Sequence, residues 1–372
     1  MSLARDIADL GSSATKLDAV GSNLIINGAM TVAQRSTSAV AAGNPNYPSV
    51  DRYVAWEGTD GAYTVEQSTD APTGFTKSLK AQVTTADTSL AAGQYAQLVQ
   101  RIEAQDLQHL DYGLSTAKTL TLSFWVKSNK TGTYCITAYK EDSTGSASTM
   151  LFPKEFSISS ANTWENKTII IEPDSQIKSA TGVIDDDNGT GMQIFWNLAQ
   201  GSTYTGGTDG TWTTNAAHFA TTNQVNWMDN TSNNFYLTGV QLQVEATDFE
   251  HRSFGDELAR CQRYTYVVKG DDDDHTGFIG YTESAANARF GVLHPVPMRA
   301  APAFTFSGTC RAQGGTNDSA NFTSGLAIAS PNTSNTGATV RVTGTSGMGA
   351  ADRGYNLQFK ANGSSFIFDA EL

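Results

Sequence analysis

Apolar and polar residues alternate in short runs along most of the chain, which is the period-two pattern of β-strands. In LTLSFWVKS (120–128), alternate positions put Leu, Leu, Phe and Val on one face. TYCITAY (133–139) follows a Lys-Thr-Gly turn, so we expect the two runs to form a hairpin. Further strand candidates are NLIINGAMTV (23–32), TIIIEP (168–173), MQIFWNL (192–198) and FYLTGVQLQVEA (235–246). Many strands without long helices between them predict an all-β sandwich or barrel.

Helical spacing occurs at the N-terminus, in residues 1–22. Apolar residues there recur at alternating intervals of four and three, the pattern of a coiled-coil seam. The seam residues are Leu3, Ile7, Leu10, Ala14 and Leu17. We expect a short helix that docks on a partner or on sister chains. The alternative is that the helix packs on the protein's own β domain.

A second helical segment interrupts the β pattern in FEHRSFGDELARCQRY (249–264). Helical spacing predicts that Phe254, Leu258 and Cys261 lie on one stripe. Ser253 is a candidate N-cap, because a serine oxygen can accept a free N–H of the first turn. These features predict a structural joint between two β regions.

A catalytic role for this segment is not supported by its spacing. Asp256 and Cys261 are five residues apart, which places them on different sides of a helix. No sequence feature supplies an oxyanion hole for a Cys261–His251 pair. We also find no phosphate-binding loop, zinc-protease or serine-hydrolase motif. The sequence therefore predicts a protein that is not an enzyme.

These patterns divide the chain into four predicted segments. They are an N-terminal docking or oligomerisation helix (1–22), a β-sandwich (23–250), a connecting helix (251–265) and a smaller C-terminal β domain (266–372).

Composition narrows the functional classes. The chain has 372 residues, with 37 acidic and 24 basic side chains and a net charge of -13. That balance disfavours nucleic acid and anionic membranes as partners. The first residues are charged where a signal peptide would be apolar, and no run could span a bilayer. Three widely spaced cysteines imply neither disulfides nor a zinc site, so we expect synthesis in a reducing compartment.

A long polar loop (199–219) carries aromatic residues and is the candidate binding segment. Sugar recognition combines flat aromatic faces with side chains that hydrogen-bond hydroxyls. The carbohydrate-binding candidates are Tyr204, Trp212, Trp227, Asn215 and Asn226. The alternative is that these rings fill the edge of the sandwich or a subunit interface.

Two acidic runs leave open a structural calcium ion; no other cofactor is expected. Calcium takes several carboxylate and carbonyl oxygens, and Asp185, Asp186 and Asp187 are the better candidates, ahead of the run 271–275. Neither run has EF-hand spacing, and the alternative is a solvated loop.

The segment FEHRSFGDELARCQRY closely resembles the helical joint of a family of bacteriophage tail-fibre and receptor-binding proteins. Further matches are NLIINGAMTVAQRST (23–37), VDRYVAW (50–56), LTLSFWVKS, FYLTGVQLQVEA, HPVPMRAAPAF (294–304) and FIFDAEL (366–372). The resemblance implies a virion protein with a jelly-roll β-sandwich similar to carbohydrate-binding modules, followed by the connecting helix and the C-terminal β domain. It also implies a homotrimer whose N-terminal segment docks on other tail proteins.

We therefore expect a phage virion protein, a tail fibre or receptor-binding protein that recognises a host-surface polysaccharide. The first alternative is a tail adaptor or capsid decoration protein that contacts only other virion proteins. A glycan depolymerase on the same scaffold is the second. A phage protein made in the host cytoplasm and released by lysis needs neither a signal peptide nor disulfides.

Overall fold

The structure is a computed structural model of the chain. It describes residues 23–43, 46–141, 145–245, 247–272, 274–284, 286–314, 319–322, 325–343 and 353–372. The predicted N-terminal helix, with its seam from Leu3 to Leu17, lies outside the described residues.

The described residues of the first part of the chain form eleven strands. They are β1 Val40–Ala41, β2 Tyr53–Glu57, β3 Ala62–Ser68, β4 Ser78–Thr85, β5 Tyr95–Glu103, β6 Leu120–Ser128, β7 Gly132–Lys140, β8 Met150–Ile158, β9 Glu165–Ile171, β10 Thr190–Gln200 and β11 Asn234–Gln243. Short 3₁₀ helices lie at Ala104–Leu110, Ala180–Gly182 and Trp227–Asp229.

An α-helix, α1 (Phe254–Gln262), precedes the remaining strands. These are β12 Thr265–Gly270, β13 His275–Ser284, β14 Asn287–Leu293, β15 Ala303–Ser307, β16 Cys310–Gln313, β17 Ser319–Phe322, β18 Leu326–Thr333, β19 Gly337–Thr343, β20 Gly354–Phe359 and β21 Ser364–Asp369.

The first eleven strands make a sandwich of two antiparallel sheets. The six-stranded sheet has the order β1-β3-β4-β11-β6-β9, and the five-stranded sheet has the order β2-β5-β10-β7-β8. Side chains from the inner faces of both sheets form one hydrophobic core, in which Phe124 of β6 meets Trp196 of β10 edge to face. The all-β, jelly-roll sandwich is confirmed.

The predicted β6–β7 hairpin is wrong, although both strands exist. β6 pairs with β11 and β9, whereas β7 pairs with β10 and β8 in the other sheet. The turn at 129–131 therefore carries the chain from one sheet to the other. Alternation alone could not reveal this, because two strands that bury the same core from opposite sides have the same pattern as a hairpin.

The predicted strand at 23–32 is also wrong, whereas its turn is present. Asn27 takes a left-handed conformation with φ 61°, and Met30 N–H donates to Asn27 O at 3.0 Å. The next residue, Gly28, has to be a glycine, because a Cβ at this position would lie 2.1 Å from Val240 O. The Asn-Gly turn therefore determines the structure of this segment, although its apolar residues are typical of a strand.

The described residues cluster into two compact units, one that runs up to Glu257 and includes Leu372, and one that spans Leu258–Glu371. The second unit contains a three-stranded sheet, β12-β21-β15, and a seven-stranded sheet, β17-β16-β20-β13-β14-β19-β18. Phe290, Val340, Leu357, Phe366 and Phe368 are fully buried in its core.

The α1 segment begins one residue after Ser253, whose hydroxyl accepts Asp256 N–H at 3.2 Å, as the capping pattern predicts. The predicted stripe is only partly buried, because Phe254 is 60% exposed whereas Cys261 is buried. An acid, Glu257, is also buried, and its carboxylate accepts Asn27 N–H at 2.5 Å. Helical spacing identified the buried side only in part, because a charged residue can be buried when it is hydrogen-bonded.

Candidate functional site

The outer face of the five-stranded sheet carries an unusual mixture of rings and amides. Antiparallel register aligns outward-facing residues of neighbouring strands into rows. One row is Trp56, Gln97 and Asn197, and the next is Val54, Val99 and Phe195. The second row is buried, because other rings, among them Phe219, pack against it, so this face of the sheet is partly covered.

A cavity of about 150 Å³ opens on this face, and we call it the aromatic groove. It is lined by Trp56, Tyr95, Gln97, Gln200, Tyr204 and Phe219. Its rings meet edge to face, with centroids 5.8 Å apart for Trp56–Tyr95 and 5.7 Å apart for Tyr95–Tyr204. Drug-sized ligands occupy cavities of about 300–1,000 Å³, so this groove suits a smaller group, such as one sugar ring.

Amide side chains form the polar part of the groove. Gln97 and Gln200 both donate from Nε2 to Asn197 Oδ1, at 3.1 and 2.7 Å. Asn197 Nδ2 donates in turn to Thr137 Oγ1 at 2.9 Å and to Phe219 O at 3.0 Å. These bonds fix the orientation of all three amides.

Gln200 is only 6% exposed, and its Oε1 has no hydrogen-bond partner among the described residues. A buried acceptor without a donor costs about 1–3 kcal/mol. A hydroxyl brought into the groove is a donor that would satisfy it.

The groove lining carries no formal charge in the described structure. Burial raises the pKa of Tyr95, and the neighbouring phenol of Tyr204 adds to the shift, so Tyr95 stays protonated at neutral pH. The electrostatics therefore suit a neutral ligand that has both apolar faces and hydroxyl groups.

The loop after β10 supplies one wall of the groove. Phe219 packs on Phe195 with ring centroids 5.1 Å apart, and Thr137 Oγ1 donates to Phe219 O. Ala220 N–H donates to Tyr204 O at 2.9 Å, which folds the loop back on itself. The wall is thus tied to the sheet at several points.

Of the five predicted sugar-binding residues, Tyr204 lies in the groove. Trp212 is 4% exposed and donates its Nε1–H to Glu172 O at 2.8 Å. Trp227 is fully buried and packs edge to face on Tyr63. Neither indole offers a free face, so the alternative that these rings fill the sandwich applies to them.

The two predicted asparagines also lie outside the groove. Asn215 is exposed, and its Nδ2 lies 2.9 Å from His218 Nε2. Asn226 accepts Met228 N–H at 3.0 Å and donates to Asp87 O at 2.8 Å, so it caps the short 3₁₀ helix. Asn215 thus makes contacts within its own loop, whereas Asn226 also joins its loop to the segment at Asp87.

Sequence reasoning missed the groove residues that come from the sheet. Trp56, Tyr95 and Gln97 lie on β2 and β5, far from the predicted loop in sequence. The sequence did indicate the position of Trp56, because alternation in YVAW (53–56) puts it on the opposite face of the strand from Tyr53 and Ala55. Because a lone outward tryptophan is common, only the pairing of the strands identifies its neighbours.

The candidate calcium ligands make hydrogen bonds within their own loop and with the 3₁₀ helix Ala104–Leu110. Asp187 Oδ1 accepts Gly189 N–H at 2.8 Å, and its carbonyl accepts Gln105 N–H at 2.9 Å. The carbonyl of Asp185 accepts Gln108 Nε2 at 2.9 Å, and Asp186 is exposed. Among the described residues, no group of three or more His, Cys, Asp or Glu is placed to hold a metal ion.

The cysteines are buried thiols. Burial raises the pKa of Cys135 to about 11 and that of Cys310 to about 12, far from the range of a reactive thiolate. Cys261 is buried too, whereas His251 packs against Phe75 and Phe249. None of the helices that the structure describes has the length and apolar character to cross a bilayer.

No protein-family model and no curated protein matches the chain. Solved structures similar to it include a putative sugar-binding protein from Bacteroides thetaiotaomicron, with 14% identity, a TM-score of 0.33, and coverage of 60% of this chain and 100% of the other. Another is the family 11 carbohydrate-binding module of Clostridium thermocellum, with 11% identity, a TM-score of 0.30, and coverage of 53% and 91%.

A third similar structure is the enzymatically active domain of tailspike protein 4 of bacteriophage CBA120. The identity is 14% and the TM-score 0.32, with 60% of this chain covered. The match spans 22% of that tailspike chain. Similarity at this level does not assign a function, which therefore has to be inferred from the geometry of the site.

Proposed function

We propose that the aromatic groove binds a neutral saccharide ring of a larger glycan. The observation that carries this proposal is the combination of four rings with an amide network whose Gln200 Oε1 has no donor among the described residues. Pyranose rings present C–H faces to aromatic rings and hydroxyl groups to amides. A pyranose ring can therefore pack on the aromatic rings of the groove and also hydrogen-bond to its amides.

The glycan is proposed to lie on the surface of a bacterial host. The support is the sequence resemblance to phage tail-fibre and receptor-binding proteins, which carries with it a virion location, release by lysis and a homotrimer. The protein would then attach the particle to host polysaccharide while its N-terminal segment docks on other virion proteins.

We propose that the protein acts by binding and not by cleavage. Glycoside hydrolysis ordinarily uses two carboxyl groups that flank the scissile bond. The lining of the aromatic groove is formed by aromatic and amide residues, which bind sugars without providing acid and base. Incubation with host polysaccharide should release no reducing ends, and their release would favour the depolymerase.

Glycan binding can be tested with two groove variants. Gln200→Met removes the free acceptor and Tyr204→Ala removes one ring. We expect each to weaken binding about tenfold, or about 1.4 kcal/mol, in calorimetric titrations with a glycan first selected on an array. The controls are Gln176→Met, an exposed glutamine, and Leu114→Ala, an exposed apolar residue outside the groove.

The controls should bind as the wild type does, and the thermal unfolding of all four variants should remain cooperative. If the groove variants bind as tightly as the controls, the groove is not the site. If the wild type binds no glycan and no susceptible cell, the tail adaptor or decoration protein becomes the better assignment.

A further inference from the structure

A second depression lies on the opposite side of the sandwich, on the outer face of the six-stranded sheet. Its volume is about 300 Å³. We call it the Trp125 groove, and it is lined by Thr121, Ser123, Trp125, Asn166, Thr168, Gly239, Gln243, Thr247, Asp248 and Phe249. It shares no residue with the aromatic groove.

An irregularity in β11 shapes this groove. The register between β11 and β6 shifts between Thr238 and Gln241, and Gly239 in that interval has φ 59°. A Cβ on Gly239 would lie 2.7 Å from Phe75 Cζ and 2.9 Å from Trp125 Cδ1. Glycine thus lets two rings approach the strand, and bulges of this kind re-aim side chains on a sheet.

Two aromatic residues line the Trp125 groove. Trp125 lies on the sheet, directly opposite Asn166 in the register of β6 and β9. Phe249 lines the groove next to Asp248 and is held by Phe75, with ring centroids 4.9 Å apart. The indole is partly exposed, unlike those of Trp212 and Trp227, so it can contact a ligand.

Four of the polar side chains that line this groove have no hydrogen-bond partner among the described residues. Thr121, Ser123, Asn166 and Thr168 make no side-chain hydrogen bond to any residue that the structure describes. Register places Ser123 opposite Thr168, so the two hydroxyls are neighbours on one face.

Several long polar side chains elsewhere on the same sheet face are paired. Lys80 Nζ pairs with Glu66 Oε1 at 2.8 Å, and Lys127 Nζ pairs with Asp70. Gln82 Nε2 donates to backbone oxygens of the loop before β11. The groove therefore brings together four side chains that have no hydrogen-bond partner among the described residues.

We propose that the Trp125 groove is a second saccharide-binding site. The Trp125 ring would stack on one sugar face, while Ser123, Thr168 and Asn166 donate to and accept from its hydroxyl groups. The carboxylate of Asp248 accepts hydroxyl donors and repels anionic sugars, so the ligand class is neutral. Two grooves on opposite faces make the sandwich bivalent, which strengthens attachment to a polysaccharide surface without stronger single sites.

The test follows each groove separately in the full chain. The six tryptophans can be labelled with 5-fluorotryptophan, and the resonances of Trp125 and Trp56 assigned with Trp125→Phe and Trp56→Phe. The probes are maltose, cellobiose, lactose and mannobiose at millimolar concentrations. With at least one probe, we expect the Trp125 resonance to shift and saturate.

The double variant Ser123→Ala, Thr168→Val removes two hydroxyls and keeps the shape of the groove. It should weaken the titration of Trp125 about three- to tenfold, while the Trp56 titration stays unchanged. The matched control Thr64→Val changes an outward threonine on the same sheet, which also makes no side-chain hydrogen bond to a described residue.

A Trp125 resonance that stays unmoved with every probe overturns this inference, whatever Trp56 does. So does a double variant that titrates like the wild type. Conversely, a Trp56 resonance that does not respond while Trp125 titrates would count against the aromatic groove and leave the Trp125 groove supported.

Discussion

Asn27 is fully buried in a left-handed backbone conformation, and its side chain holds three backbone groups. Nδ2 donates to Val32 O at 2.8 Å and to Asp51 O at 3.0 Å, and Oδ1 accepts Val32 N–H at 3.0 Å. Asparagine tolerates this conformation better than other residues with a Cβ. The Asn27 side chain thus connects the turn at Asn27–Met30 to the segment before β2.

Asn27→Ala is expected to reduce the free energy of unfolding by about 2–4 kcal/mol, because it leaves buried backbone groups unpaired. The control is Asn162→Ala, an exposed asparagine with φ 56°. Both variants bear the conformational cost, so the difference between them isolates the hydrogen bonds. Chemical denaturation measures both, and equal losses would contradict this role of the Asn27 side chain.

At the scale of elements, α1 is defined by its cap more than by its apolar residues. Ser253 Oγ accepts Asp256 N–H and donates to Asp256 Oδ2 at 2.8 Å. Asp256 and Glu257 also lie in the first turn, where the helix dipole favours negative charge. Local interactions therefore set where the helix begins.

Ser253→Ala should lower the free energy of unfolding by about 1 kcal/mol, the usual cost of losing an N-cap. Ser160→Ala, in an exposed turn, is the matched control and should be close to neutral. Thermal unfolding monitored by circular dichroism distinguishes the two. A loss no greater than that of the control would mean that the cap does not stabilise the helix.

At the scale of the whole molecule, the second unit exposes an apolar sheet face. Ile279 is 71%, Tyr281 48% and Leu293 86% exposed. The register of β13 and β14 pairs Ile279 with Gly291 and Tyr281 with Arg289, so the three apolar side chains share one face. Exposed apolar patches commonly mark interaction surfaces.

The proposed homotrimer should be visible by light scattering at micromolar concentration as a mass three times that of the 39.6 kDa chain. The double variant Ile279→Ser, Leu293→Ser should shift the protein towards the monomer. Leu114→Ser, at another exposed leucine, is the control and should leave the mass unchanged. A wild-type monomer would contradict the trimer.

The candidate site was predictable only in part, and the tryptophans show why. The pattern placed aromatic residues in the loop after β10, and Tyr204 does line the aromatic groove. Trp212 and Trp227 come from the same region but are buried. A loop sequence does not show which of its rings turn inward, because that depends on the space left by other strands.

The sequence by itself determined the positions of several strands, one turn and the start of α1. Alternation predicted β6, β7, β10 and β11, the Asn27–Gly28 pair predicted a turn, and Ser253 predicted a helix start. Each depends on neighbours within a few residues, where backbone sterics and hydrogen bonding act directly.

Tertiary structure alone decided which strands pair and what their outer faces assemble. It separated β6 from β7 into different sheets, and it brought Trp56, Gln97 and Gln200 together from three strands. The physical reason is that strand partners are selected by the shared burial of distant apolar faces, which no local pattern encodes. Both proposed grooves are products of that pairing.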